Sequence, residues 1–311
     1  MRLRERVAAA LARLAVVAGL LASASAVQAD EQWMTLAGLR VAVWSDSAST
    51  GAAQPVIVFS HGFLGCATQS RFLMEAFAKA GYTVFAPNHR DALCVGAEGN
   101  WPRRGFPLRS ASEWTDADFR DRAEDIGVLL EAIHADDSFR SSVDLSHLGL
   151  VGHSLGGYTV LGLSGAWPSW KLAGVSAVLA LSPYAEPFIE QEALGKLAVP
   201  VMYQGGTLDF TTPGLLKASG GYDQSPSPKY LVEFDLASHW AWTNIGFVAH
   251  EQILLYSLAF MDTYVRSLVR DAELTTPTHG VAALRHAEVR AAKDKLPRVI
   301  GDVAPLTPAG D

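Results

Sequence analysis

The chain has 311 residues, 49% of them hydrophobic and 18% charged, with a formal net charge of −7. That is enough apolar material for one large α/β core, and it excludes a disordered or fibrous chain. The acidic balance argues against nucleic acid and anionic membranes as partners.

Arg2, Arg4 and Arg6 precede an apolar stretch over 7–21, broken by Arg13, and then small residues over 22–29. This is the order of a secretory signal peptide over 1–29. Val27 and Ala29 suit the cleavage positions, so the mature chain is expected to start at Asp30, with Ala24 and Ala26 as the other option. The stretch is too short and interrupted for an anchor, and no other run is long and apolar enough to span a bilayer. A periplasmic or secreted protein, off the membrane after cleavage, is expected. The leader holds four Arg and one Glu, so its loss takes the charge from −7 to −10. Export makes a Cys66–Cys94 disulfide the expectation, with two free thiols as the alternative, because each cysteine follows a strand-like run in loops that the fold would place side by side.

From residue 54 to about 270, short β-type runs alternate with longer segments of helical period. That pattern predicts an α/β fold, a mostly parallel central sheet with helices on both faces, in one domain over 30–270. Strands are predicted at 40–44, 56–60, 83–87, 148–152, 175–181, 199–205 and 230–234, several nearly continuous in Val, Ile and Leu as doubly buried strands require. Helices are predicted at 69–80, ending at Gly81, and at 118–135, 155–163 and 251–270. In the last of these Ile253, Leu254, Ser257, Leu258 and Met261 form one stripe. A Gly-, Pro-, Arg- and Trp-rich loop occupies 95–115. From 271 to 311 the chain is polar and Pro-containing, a C-terminal extension with one short helix predicted over 281–293 and a partly disordered end.

The strongest chemical signal is Gly152-His153-Ser154-Leu155-Gly156-Gly157, a G-x-S-x-G pattern directly after one predicted strand and opening a helix. So tight a turn tolerates no side chains at 152 and 156, and it lifts the Ser154 hydroxyl clear of the sheet edge. The Leu155 N–H, at the start of the helix, points where an oxyanion would form. A serine hydroxyl needs a base, and the chain order nucleophile, acid, histidine leaves four of nine histidines. His239 alone of those follows a predicted last strand, whereas His250 begins a helix and His279 and His286 sit in the tail. Asp209, just beyond the 199–205 strand, is the acid that would hold the His239 tautomer; a turn-capping aspartate is its bland alternative, and Glu186 its rival. The second oxyanion donor is expected from His61-Gly62-Phe63-Leu64-Gly65, with the Phe63 N–H as candidate. Arg90 and Asp91 are taken as loop braces, and His61 as a structural hydrogen-bonder.

On Phe59-Ser60-His61-Gly62, on Gly81-Tyr82 through Asn88-His89-Arg90-Asp91, on the elbow, and on Ala237-Ser238-His239, the chain resembles the α/β-hydrolases related to dienelactone hydrolase and platelet-activating-factor acetylhydrolase, with similarity to bacterial cutinases. The likeness covers about 41–264. It implies the α/β-hydrolase fold and ester hydrolysis without metal or organic cofactor, with Ser154, Asp209, His239, Phe63 and Leu155 in the family's roles. Dienelactone hydrolase itself uses cysteine where this chain has Ser154, which speaks against a lactone substrate. The short connection between the 175–181 and 199–205 strands leaves little or no lid. Phe63, Tyr184, Phe210, Trp240 and Trp114 are candidates for an apolar lining. The expected substrate is a small-molecule ester or an ester at a polymer surface. A cutinase-like polyester hydrolase, an acetylhydrolase or thioesterase on the same triad, and a non-catalytic binding module are the alternatives; the oligomeric state is left open.

Overall fold

The structure is a computed structural model that describes residues 30–46, 52–94, 109–211, 214–215 and 217–288. The expected leader, most of the 95–115 loop and the chain end beyond 288 lie outside the described residues.

The elements run in the order β1 (Asp30–Leu36), β2 (Leu39–Ser45), β3 (Gln54–Ser60), α1 (Arg71–Lys79), β4 (Thr83–Pro87), α2 (Arg120–Ala135), β5 (Val143–His153), α3 (Leu155–Leu161), β6 (Val175–Leu181), α4 (Glu186–Glu190), β7 (Val201–Gly206), α5 (Gly221–Gln224), β8 (Lys229–Phe234), α6 (His250–Tyr264), α7 (Asp271–Thr275) and β9 (Val281–Ala287). They form one nine-stranded sheet in the order β1-β2-β4-β3-β5-β6-β7-β8-β9. From β4 to β8 every pairing is parallel, whereas β1, β2 and β9 are joined antiparallel.

Along β3, Val56 and Val58 point to one face and Ile57 and Phe59 to the other, which is why a buried strand reads as an unbroken apolar run. On the first face they meet Ile126, Leu129 and Ile133 of α2. On the second they meet Leu73 and Phe77 of α1 and Ile253 and Phe260 of α6. Chain order reverses between β3 and β5, since β3 feeds β4 on one side and β5 feeds β6 on the other. In an open parallel sheet the crevice at that reversal, beyond the strands' carboxyl ends, is where ligands bind.

The edges differ from expectation. Asp30–Leu36 is a strand, turned back onto β2 through Ala37 and Gly38 at φ 49° and 78°. The helix expected over 281–293 is instead strand β9, whose Leu284 pairs with Val232 and Arg285 with Leu231. Its Ala-rich composition favours helix, but the open edge of β8 offers a row of unpaired backbone groups and prevails. The sheet therefore runs to Ala287, past the boundary expected at 270. Helix α6 stops at Tyr264 rather than 270, where Ser267 turns to φ 59° and Leu268 N–H returns to the Asp262 carbonyl. No described helix is long and apolar enough to cross a membrane.

Candidate active site

Ser154 sits at φ 55°, ψ −118°, between the end of β5 and the first turn of α3. Such a conformation is costly for a residue with a side chain and persists only where the surroundings impose it. They do: Ser154 N–H donates to the Leu181 carbonyl at 3.0 Å, and its own carbonyl accepts from Tyr184 N–H at 2.9 Å. A Cβ on Gly152 would overlap the Gly156 carbonyl, and one on Gly156 would overlap that of Ser60, so α3 can press onto β3 only without side chains there. Leu155 opens α3, where first-turn N–H groups lack helical acceptors. The loop that carries Phe63 lies directly against the elbow, since a Cβ on Gly62 would come 3.3 Å from Ser154 Cβ.

The tip of β8 delivers His239, and the turn after β7 delivers Asp209. They meet at 3.0 Å, Nδ1 to Oδ2, with 17% of the imidazole and 1% of the carboxylate side chain exposed. The two carboxylate oxygens divide the work. Oδ1 accepts the Thr211 N–H at 3.0 Å and its hydroxyl at 2.6 Å, which is the turn-capping role, while Oδ2 faces the ring. Burial pushes the Asp209 carboxyl upward, yet the bonds from His239, Ser182 and Thr211 outweigh it and hold it well below the usual carboxylate range. No hydrogen bond joins the ring to Glu186 among the described residues. Its buried Oε2 has no partner among the described residues, and burial first, then the Asp209 charge, push its carboxyl up to about 7.

Ser182 and Thr211 were not anticipated. Each hydroxyl donates to Asp209 and lies beside His239 Nδ1, at 2.9 Å and 2.7 Å respectively. No hydrogen bond joins the Ser154 hydroxyl to the His239 ring among the described residues, and the ring centroids of His153 and His239 are 4.8 Å apart. Unliganded sites often hold that contact long and shorten it on binding.

A fully hydrogen-bonded serine–histidine–aspartate chain lies in the interior. Ser60 Oγ is 2.9 Å from His89 Nε2, and His89 Nδ1 is 3.0 Å from Asp125 Oδ2. All three are buried, at 0%, 2% and 3% exposure, so no substrate reaches them. Burial drives His89 down to about 3 and Asp125 up to about 7. Beside it the buried guanidinium of Arg122 donates to the carbonyls of His61 and Gly62 and to Asp91, which in turn accepts the Leu64 N–H. Asp91 thus braces the Phe63 loop, and His61 is a structural hydrogen-bonder, its Nε2 accepting the His89 N–H.

The expected Cys66–Cys94 bridge is not formed. The loops do come side by side, with Leu93 N–H on the Gly65 carbonyl at 3.2 Å. Both cysteines remain free thiols, Cys66 beside the Thr68 hydroxyl and Cys94 donating to Asn88, and burial together with the neighbouring Cys66 pushes the Cys94 thiol up to about 12. Of the expected lining, Tyr184 is half-buried against Trp114, Phe63 packs edge-on to Phe119, Trp240 stands edge-on to His239 at 56% exposure, and Phe210 is 82% exposed. Between β6 and β7 the chain adds only short helical turns, α4 and Ala193–Lys196, so nothing there covers the site. No group of three or more His, Cys, Asp or Glu is placed to hold a metal ion among the described residues.

The sheet order, the elbow and the matched sequence make this an α/β-hydrolase-fold protein with similarity to cutinases. Residues 55–169 match the family described as alpha/beta hydrolase fold. Cutinase est2 of Thermobifida alba is 25% identical over 223 residues, covering 71% of this chain and 63% of that protein. Cutinase 1 of Thermobifida cellulosilytica is 28% identical over 178 residues, covering 56% and 63%. Cutinase 2 of the same organism is 28% identical over 228 residues, covering 67% and 81%. The match to the first two spans just under two thirds of their length.

Proposed function

We propose that this protein is a serine carboxylesterase. In this reading Ser154 attacks the ester carbonyl while His239 takes its proton, and the tetrahedral oxyanion is held by the N–H groups of Phe63 and Leu155. His239 then returns the proton to the leaving alcohol, and water releases the acyl group by the same steps in reverse. Asp209 keeps Nδ1 protonated and stabilises the imidazolium without taking the proton. The observation that carries the reading is the enclosed Asp209–His239 pair, on the sheet edge where strained Ser154 is presented. The buried Ser60 chain has the same residue types but no access. A fluorophosphonate probe is expected to label Ser154, and Ser154→Ala to abolish both labelling and turnover of short nitrophenyl esters. A wild type that neither reacts nor turns over would return the protein to the binding-module reading.

A second reading within the class has its own support. Leu236, Trp240, Ile245 and Phe247 crowd the loops after β8 at 62%, 56%, 68% and 82% exposure, and Phe210 joins them from the loop after β7. Several large exposed apolar residues on the loops that carry Asp209 and His239 favour an ester presented at an insoluble surface, as the cutinase relatives' names suggest. Export of the mature chain from 30 onward remains part of the proposal; N-terminal sequencing of secreted material tests it.

A further inference from the structure

We infer that Gln69 and His153 form a directed hydrogen-bond relay that joins the oxyanion loop to the loop of the base, which makes both of them positioning residues for turnover. The inference rests on the esterase reading and deepens it. Gly62 N–H reaches Gln69 Oε1 at 3.1 Å, Gln69 Nε2 is 2.9 Å from His153 Nδ1, and His153 Nε2 is 3.0 Å from the His239 carbonyl.

Every direction in this chain is forced. A backbone N–H only donates, so the amide oxygen of Gln69 must face Gly62 and its NH2 must face His153. A backbone carbonyl only accepts, so the proton of His153 must lie on Nε2, which leaves Nδ1 with the lone pair that the amide needs. The two ends are backbone groups of the two catalytic loops, and the relay is complete only with this one rotamer of Gln69 and this one tautomer of His153. His153 is 2% exposed, and burial, reinforced by the neighbouring His239, drives its pKa down to about 3, so it stays neutral as the relay requires.

The surroundings repeat the tie. Asn244 N–H donates to the Gln69 carbonyl at 2.8 Å, Asn244 Nδ2 to the Thr68 carbonyl at 2.7 Å, and Ser70 Oγ to the Trp242 carbonyl at 2.6 Å. Residues 68–70 and 242–244 are therefore tied by three further hydrogen bonds. What the relay adds is the link through the residue next to the nucleophile, so that oxyanion donor, serine and imidazole share a single frame. A network with both ends fixed transmits a break at either member to the other.

The test compares Gln69→Met, His153→Leu and the double variant, on an aryl ester and on its thiono analogue, where C=S replaces C=O and gains little from an oxyanion site. Each single variant is expected to lower kcat on the oxo ester by about 10- to 100-fold with KM within about threefold, and to narrow the oxo-over-thiono preference by a similar factor. The double variant is expected to be no slower than the slower single one, because either change already breaks the same chain. Single effects that multiply in the double variant, or an unchanged oxo-to-thiono ratio, overturn the relay. If a variant fails to fold, ¹⁵N NMR of the wild type decides: His153 Nδ1 should read as unprotonated and Nε2 as protonated from pH 5 to 8, and the opposite tautomer removes the relay. Wild-type turnover and Ser154 labelling test the esterase reading separately. Their absence removes that reading, and an active wild type that fails the relay tests removes the relay alone.

Discussion

The Asp209 and Glu186 carboxyl groups feel one another's charge, and their surroundings assign them opposite behaviour. Asp209 is bonded to His239 and held ionised, whereas Glu186 is half-buried, with one buried carboxyl oxygen left without a partner among the described residues, and is pushed up to about 7. Asp209→Asn would present an amide NH2 or a weaker acceptor to Nδ1, and should lower kcat on the order of 10³- to 10⁴-fold. Glu186→Gln should leave kcat within about threefold in the same assay; the reverse ranking would move the acid to residue 186. Glu186 also predicts a pH effect. Its folded pKa is raised above the unfolded value near 4.5, so the folded state binds the extra proton between those limits. Its stabilising contribution is complete below about 4.5 and is lost as pH rises through 7. The difference in melting stability, Glu186→Gln minus wild type, should therefore be more positive at pH 8 than at pH 5, by about 2 kcal/mol. A difference independent of pH would mean that the carboxyl is not buried as described. Ser154, Asp209 and His239 could be put forward as candidates because an elbow has a local pattern and the fold a fixed order, and the structure brings Asp209 to His239. Ser182, Thr211, Gln69 and Arg122 were not, because a hydroxyl, amide or guanidinium acquires its role only from partners that the fold brings to it.

At the level of elements, the legible ones were those whose pattern coincides with their burial. Strands β3, β4 and β6 are buried on both faces and announce themselves in Val, Ile and Phe or, in β6, in Val, Leu and Ala. Edge strands β1 and β9 carry no such signal: DEQWMTL and VAALRHA are polar or Ala-rich, and each pairs on one side only. Backbone pairing to a waiting edge, which no local pattern encodes, decided both. The contact of α3 with β3 is the most exacting packing at the site, since Gly156 rides on the Ser60 and His61 carbonyls. Gly156→Ala has no space for its methyl group, and the obstructing atoms are backbone. It should force α3 off β3 and separate Ser154 from the Phe63 loop, with loss of activity and a stability cost above about 3 kcal/mol. A soluble variant with wild-type melting temperature and turnover would show that the two elements are not so tightly seated.

For the molecule as a whole, the distribution of its exposed apolar residues bears on what kind of ester it meets. Phe210 and Phe247 are both 82% exposed, on the loops that follow β7 and β8, while the chain as a whole carries a net −7. Water-exposed phenylalanines contribute nothing to the core, so replacing them should change stability by no more than about 0.5 kcal/mol. In the small-ester reading a soluble ester reaches Ser154 without needing either ring. A polyester film must be approached face-on, and each ring transferred from water to such a surface favours adsorption by about 1.5–3 kcal/mol at full burial. The double variant Phe210→Ser/Phe247→Ser is therefore expected to hydrolyse a short nitrophenyl ester within about twofold of wild type, yet to adsorb to and erode a polyester film about tenfold less. The acidic surface adds a salt dependence to the film alone: on a film bearing free carboxylates, adsorption should rise with ionic strength as the repulsion is screened over about 10 Å at 0.1 M salt. Equal losses on film and soluble ester would place the two rings inside the substrate pocket, and no loss on either would leave the small-ester reading standing by itself.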